Sequence, residues 1–298
     1  VSVHVVSMCK SDHAIVWERT SALQRRFIQA DEFILYVPKN DIPQFRTISA
    51  PGTIVRAQES LGATYREELS RAVASQGQAH RVGWYLQQYY KLEALEREQA
   101  DSLIIWDADC VPVAPQTLFD DRGHPAYMRA AEFHPEYFRM IERLTGQTRQ
   151  QDFSFVIPGF PLRKEWLEDF FAEIERRHGI DHWSDALIQA TDFSQVGAFS
   201  ETETLGTWIT NKYTDSWSTV DVSWERYGRS RFGPANKFAP DDLIRLGQRH
   251  HLGIISFENW DRRTLHWWAR RSKRLVRDAL SSVQRDSFST SIRAAQCM

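Results

Sequence analysis

The chain is poor in cysteine, has no long apolar run and carries no surplus of charge of either sign, and each absence removes a class of protein. Its three cysteines, Cys9, Cys110 and Cys297, form no CxxC, and an odd number cannot all pair within one chain. That pattern speaks against a disulfide scaffold and for reduced thiols in the cytoplasm. No window approaches the roughly 20 apolar residues that a membrane-spanning helix needs. Residues 1–6 lack the basic leader and small-residue cleavage site of a signal peptide. The missing initiator Met points to processing or trimming at that end. Lys and Arg total 37 against 39 Asp and Glu, so the basic excess of a nucleic-acid binder is absent, and no nucleic-acid partner is expected. Internal repeats and low-complexity tracts are missing too.

What remains is an ordinary globular composition, 42% hydrophobic over 298 residues, enough for one large domain or two modest ones. The 11 tryptophans read first as core residues and only second as platforms for sugar rings. Short apolar runs alternate with helical stretches, which predicts an α/β sheet. Strands are expected at 1–8, 33–37, 53–56 and 103–106, and helices at 14–30 and 79–98. In the latter, Val82, Tyr85, Leu86, Tyr89, Leu92 and Leu95 recur at helical spacing. Further on, 153–157 is strand-like, 161–178 and 200–209 are helical, and 254–257 is a late strand. Residues 211–240 read as a long ordered loop.

The chemistry concentrates where an apolar strand, Leu103-Ile104-Ile105-Trp106, runs into Asp107-Ala108-Asp109. Two carboxylates spaced i, i+2 at a strand end converge on one hard cation if the turn breaks the strand's alternation. Mg²⁺ and Mn²⁺ take such oxygen ligands and fill their remaining positions with phosphates and water. A D-x-D alone carries little information; the strand before it gives it meaning. Ser200 followed by Glu203 reads as a capping box at a helix start.

This stretch resembles the DxD motif of GT-A glycosyltransferases. The helix from Gly83-Trp84-Tyr85 to Leu92 is similar to a segment of bacterial GT-A-like proteins of otherwise unassigned function. The resemblance implies a Rossmann-like mixed sheet with flanking helices over 1–260: a nucleotide-sugar half over 1–113 and an acceptor half over 114–260. A basic helical extension follows over 261–298. It also implies Mn²⁺ or Mg²⁺ held by Asp107 and Asp109 against a nucleotide-diphosphate sugar, with a glycan or lipid-linked acceptor. A late His often adds a ligand in such enzymes, which nominates His251, with His250 and His266 weaker. The general base is expected early in a helix after the DxD, with Glu203 first and Glu201 second.

Ser7 and Asp12 follow the first strand, where a Rossmann-like half meets its nucleotide. Arg56 and Lys91 are candidate diphosphate contacts, with solvated surface charge as the plainer reading. Asp152-Phe153-Ser154 and the Pro158-Gly159-Phe160-Pro161 turn are expected on the acceptor side. Residues 262–277 hold seven Lys and Arg and no acid, interleaved with Trp267 and Trp268. This reads either as a helix packed on its domain or as a peripheral contact with the inner face of the plasma membrane.

The rival reading is a haloacid-dehalogenase-type phosphatase with Asp107 as nucleophile, since Asp107-Ala108-Asp109-Cys110-Val111 also fits its D-x-D-x-[TV] motif. That motif normally lies on the first strand, and no G-D-x-x-x-D follows here. A sugar-nucleotide pyrophosphorylase would need a G-x-G-T-R loop near the N-terminus, which is missing.

Overall fold

The structure, a computed structural model, describes residues 1–261. The basic segment 262–277, His266 and Cys297 lie outside the described residues. Through residue 112 strands and helices alternate: β1 (Val3–Met8), α1 (Ala14–Phe27), β2 (Glu32–Val37), α2 (Ile42–Ile48), β3 (Ile54–Ala57), α3 (Arg66–Ser75), α4 (Val82–Arg97), β4 (Ser102–Trp106) and β5 (Cys110–Pro112). The second half carries β6 (Ala126–Met128), α5 (Pro135–Thr145), β7 (Gly159–Arg163), α6 (Lys164–His178), α7 (Trp183–Ala190) and α8 (Glu201–Lys212). Then come β8 (Ser218–Val220), β9 (Trp224–Glu225), α9 (Gly228–Phe232), α10 (Pro240–His250) and β10 (Ile254–Ser256).

The main sheet has the order β3-β2-β1-β4-β7, with the first four strands parallel and β7 antiparallel to β4. This is a mixed α/β sheet flanked by helices, compatible with a Rossmann-like fold. Every residue of β4 is buried, as expected of a strand covered on both faces. Alternation along β2 assigns the layers: Ile34 and Tyr36 join the large core with α4, while Leu35 and Val37 pack with Trp17 of α1 and Phe45 of α2.

The strand expected at 153–157 is confined to a single bridge, Ser154 to Ala130. On the side away from β1, β4 pairs with β7, in the segment read as a turn and then as the start of the 161–178 helix. Its proline is tolerated because β7 is an edge strand. Gly159 is required there, since a Cβ would lie 2.5 Å from the Trp106 ring. The 211–240 stretch is not loop throughout; it holds β8, β9 and α9.

A small sheet of order β5-β10-β9 sets up the site. β10 runs antiparallel to β5 with Ser256 opposite Cys110, so the chain leaving β10 emerges beside Asp109. The Phe257 amide donates to the Asp109 carbonyl at 2.8 Å. No helix among the described residues is long and apolar enough to cross a membrane.

Candidate active site

The strand-to-turn transition after β4 carries the site. Asp107 closes a turn in which the Cys110 amide donates to its carbonyl at 3.0 Å, and the Trp106 indole N–H donates to the Cys110 carbonyl at 2.7 Å. The turn breaks the strand's alternation, so the two carboxylates act on one another. Burial, then the charge of Asp107, raises the Asp109 carboxyl above its usual range, and His13 at 3.4 Å pulls it back down.

A third carboxylate joins them from the far end of the chain. Glu258, just after β10, is pushed up to about 8 by burial, then by Asp109, against the opposing pull of Arg226. Asp107, Asp109 and Glu258 thus form a group of mutually repelling oxygen donors, in which Asp109 and Glu258 have raised proton affinity. Such a set suits a hard divalent ion.

One ammonium is built into the floor. Lys91 of α4 is buried with Nζ 2.8 Å from Asp107 and 2.6 Å from Glu201. Burial alone would lower its proton affinity, but Asp107 and Glu201 outweigh it and hold it above its ordinary value. The other oxygen of Glu201 accepts from the Gln88 amide at 2.8 Å, once that amide is oriented to suit its neighbours.

Glu203 is also buried but has different company. Its Oε2 accepts from the Ser154 hydroxyl at 2.5 Å and the Phe155 amide at 2.8 Å, while Oε1 has no partner among the described residues. Burial raises its carboxyl despite those two donors. The capping box is therefore half formed: Ser200 accepts from the Glu203 amide, but the Glu203 side chain turns to the 154–155 segment. Gly206 lets α8 approach that segment, since a Cβ would sit 2.2 Å from the Phe155 ring.

The remaining sequence candidates are not gathered here. Ser7 is buried in β1 and its hydroxyl accepts from Gln24 at 3.4 Å. Asp12 is half-exposed, 3.5 Å from Lys10 and 3.4 Å from the Asn259 amide, on the rim where the loops after β1 and β10 meet.

Arg56 pairs with Glu98 and donates to the Tyr36 hydroxyl. Glu98 in turn lies 3.3 Å from His4, which faces Glu32 at 3.8 Å across its other ring nitrogen. His4 and Glu32 stand at the amino ends of β1 and β2, whereas Arg56 lies at the carboxyl end of β3 and commits its guanidinium to Glu98 and the Tyr36 hydroxyl. One donor atom from each of His4, Glu32 and Glu98 lies within 4.8 Å of the others, the one such three-residue group among the described residues, and Arg56 already neutralises Glu98.

His251 caps α10 in a left-handed conformation, exposed, at the end of β10 opposite to Asp109. The antiparallel register brings Glu258, not His251, to the carboxylate pair. Two open surface depressions, along Glu96, Lys164 and Glu175 and along Gly62, Glu67 and Arg71, include none of these carboxylates.

A family model described as a family of unknown function, DUF6492, matches residues 17–218. The chain belongs to that family. The match contains Lys91, Asp107, Asp109, Glu201 and Glu203, whereas Arg226 and Glu258 lie beyond it. No curated protein matches the chain. Glu258 and His13 carried no local sequence signal; only the pairing of β10 with β5 and the helical turn after β1 bring them to Asp109.

Proposed function

We propose that this chain is a GT-A-type glycosyltransferase that moves a sugar from a nucleotide-diphosphate donor to a hydroxyl of a glycan or lipid-linked acceptor. The observation that carries the reading is that the β5–β10 pairing brings Glu258 into electrostatic contact with Asp107 and Asp109 at the carboxyl end of β4, where a Rossmann-like sheet meets its ligand. Mn²⁺ or Mg²⁺ would be held chiefly by Asp109 and Glu258, whose carboxyls would have to draw closer together around it, with Asp107 shared with Lys91. Such an ion supplies Lewis-acid neutralisation of charge on the departing diphosphate.

Lys91 fixes the orientation of Asp107 and ties it to α8 through Glu201. Of the two glutamates, Glu203 fits the general base better. It keeps one oxygen without a partner among the described residues, and its raised proton affinity suits accepting the acceptor's proton. Glu201 has both oxygens engaged and serves as the counter-charge of Lys91. The basic 262–277 segment would dock the enzyme on an anionic membrane, and sedimentation with anionic liposomes that weakens as salt rises checks that part.

The test of the whole reading is thermal shift with UDP, GDP and CMP, each with and without Mn²⁺, followed by a donor screen scored on released nucleoside diphosphate. Metal-dependent stabilisation by one nucleotide is expected. No stabilisation by any of them, together with turnover of p-nitrophenyl phosphate, would replace the transferase with a phosphatase.

A further inference from the structure

Arg226 follows β9 and reaches two carboxylates carried by separate parts of the chain. It pairs with Glu132, in the connection between β6 and α5, and its Nε lies 3.7 Å from Glu258. The indole rings of Trp224 and Trp260 flank the guanidinium at 5.5 and 5.6 Å. The side chain is 29% exposed, so it faces the site without being free in solvent. The two cations that the sequence nominated for the phosphates are committed elsewhere, Lys91 between Asp107 and Glu201 and Arg56 to Glu98. Arg226 instead shares a carboxylate with the Asp107, Asp109 and Glu258 group.

We infer that Arg226 is a switched anion-binding residue. Glu132 and Glu258 hold it in the ligand-free site, and engagement of Glu258 by the metal releases it to the donor's diphosphate. The inference rests on the transferase reading for the identity of its ligand. A metal ion bound to Glu258 would occupy the oxygens that face Arg226 and leave the guanidinium with Glu132 alone. A guanidinium then gains by exchanging one carboxylate for phosphate oxygens that accept its parallel N–H groups. The flanking indoles keep the guanidinium near one position through the exchange, which limits its entropic cost. Two consequences follow: metal must precede diphosphate, and Glu132 competes with it.

The experiment measures binding of UDP, GDP and inorganic pyrophosphate to the whole chain by calorimetry, with and without Mn²⁺. Mn²⁺ binding alone and urea stability are recorded for each variant. Arg226→Gln should weaken the Mn²⁺-dependent binding of diphosphates by a factor on the order of 10², while Mn²⁺ alone binds at least as tightly because it no longer competes with the guanidinium for Glu258. Arg226→Lys should restore only part, because an ammonium cannot offer the guanidinium's fork.

Glu132→Gln should act in the opposite direction, tightening diphosphate binding several-fold and relaxing its dependence on Mn²⁺. A merely structural Arg226 would not give that gain. Should UDP or GDP bind equally well to wild type and Arg226→Gln, or Glu132→Gln weaken binding, the inference is overturned while the transferase stands. Pyrophosphate binding that depends on Arg226, without binding of either nucleotide, would keep the anion site and remove the transferase. Binding of none of the three by wild type would overturn both.

Discussion

Lys91 and Asp107 form an ion pair at 2.8 Å that joins the middle of α4 to the turn after β4, and the same ammonium meets Glu201 at 2.6 Å. Asp107 is 38% exposed and keeps its own hydration, whereas Glu201 at 6% depends on Lys91 for its charge balance. Lys91→Met should therefore cost about 3 kcal/mol, mostly from stranding Glu201. Pairing it with Glu201→Gln should recover most of that loss. Equilibrium urea unfolding of the two variants checks this; a single variant as stable as wild type would show that the pair is not holding α8 to α4.

Asp109→Asn keeps the side chain's shape and removes one of three mutually repelling charges. The far-UV spectrum should be unchanged and metal-free stability at neutral pH equal or higher, since the carboxyl's raised proton affinity means that its charge opposes folding. Donor turnover should fall by a factor on the order of 10² or more. Normal turnover by this variant would end the metal-site reading.

The part of this site that could be read from the sequence is the part whose physics is local. An all-apolar run ending in Asp-Ala-Asp announces a buried strand with carboxylates at its exit, and β4 and its turn are there. Gly159 and Pro161 suggested a turn because both residues usually interrupt strands, yet edge position and contact with Trp106 make them suitable for β7. The missing site residues depend on register. A late ligand was expected before the last strand, at His251, but β10 runs antiparallel to β5, so the residues after it reach Asp109. Nothing in the residues around Glu258 announces that direction. Glu203 was legible as a helix-start residue, but its choice of Ser154 and Phe155 over the Ser200 amide depends on how closely α8 packs at Gly206.

Glu258 gives the metal-free protein a pH-dependent stability. Its carboxyl is raised from 4.5 to about 8 by burial and by Asp109 and Asp107, against Arg226 and the Trp260 indole. The folded chain thus holds this proton more tightly than the unfolded chain does. The resulting stability is complete below about 4.5 and is lost as pH rises through about 8, at up to about 1.4 kcal/mol per pH unit for one proton. In EDTA, the urea midpoint should decline across that window, and Glu258→Gln should remove most of the decline. An unchanged slope in the variant would mean that Glu258 is ionised throughout.

Cys9 and Cys110 are buried free thiols beside the carboxylate group. Burial first, then the negative charge of Asp109, pushes both well above the usual thiol range. Thiolate, not thiol, is the nucleophile, so neither should react appreciably with iodoacetamide near neutral pH while the chain is folded. Peptide mass spectrometry should find both alkylated only after denaturation. Rapid native labelling at Cys110 would show that the β5–β10 pairing opens readily.

Glu203→Gln separates the structural from the chemical duty of this side chain. The amide oxygen can still accept from the Ser154 hydroxyl and the Phe155 amide, and the backbone N–H that Ser200 caps is untouched. Replacing a carboxylate whose burial raises its proton affinity also removes a charge that opposes folding, while the new amide N–H₂ must enter the buried position of Oε1. These effects oppose each other, so stability should change by roughly 1 kcal/mol at most. A base, by contrast, cannot be replaced by an amide: transfer to acceptor should collapse while Mn²⁺-dependent nucleotide binding persists. Full transfer activity in this variant would move the base to Glu201 or elsewhere. Loss of nucleotide binding together with activity would place Glu203 on the donor side of the site.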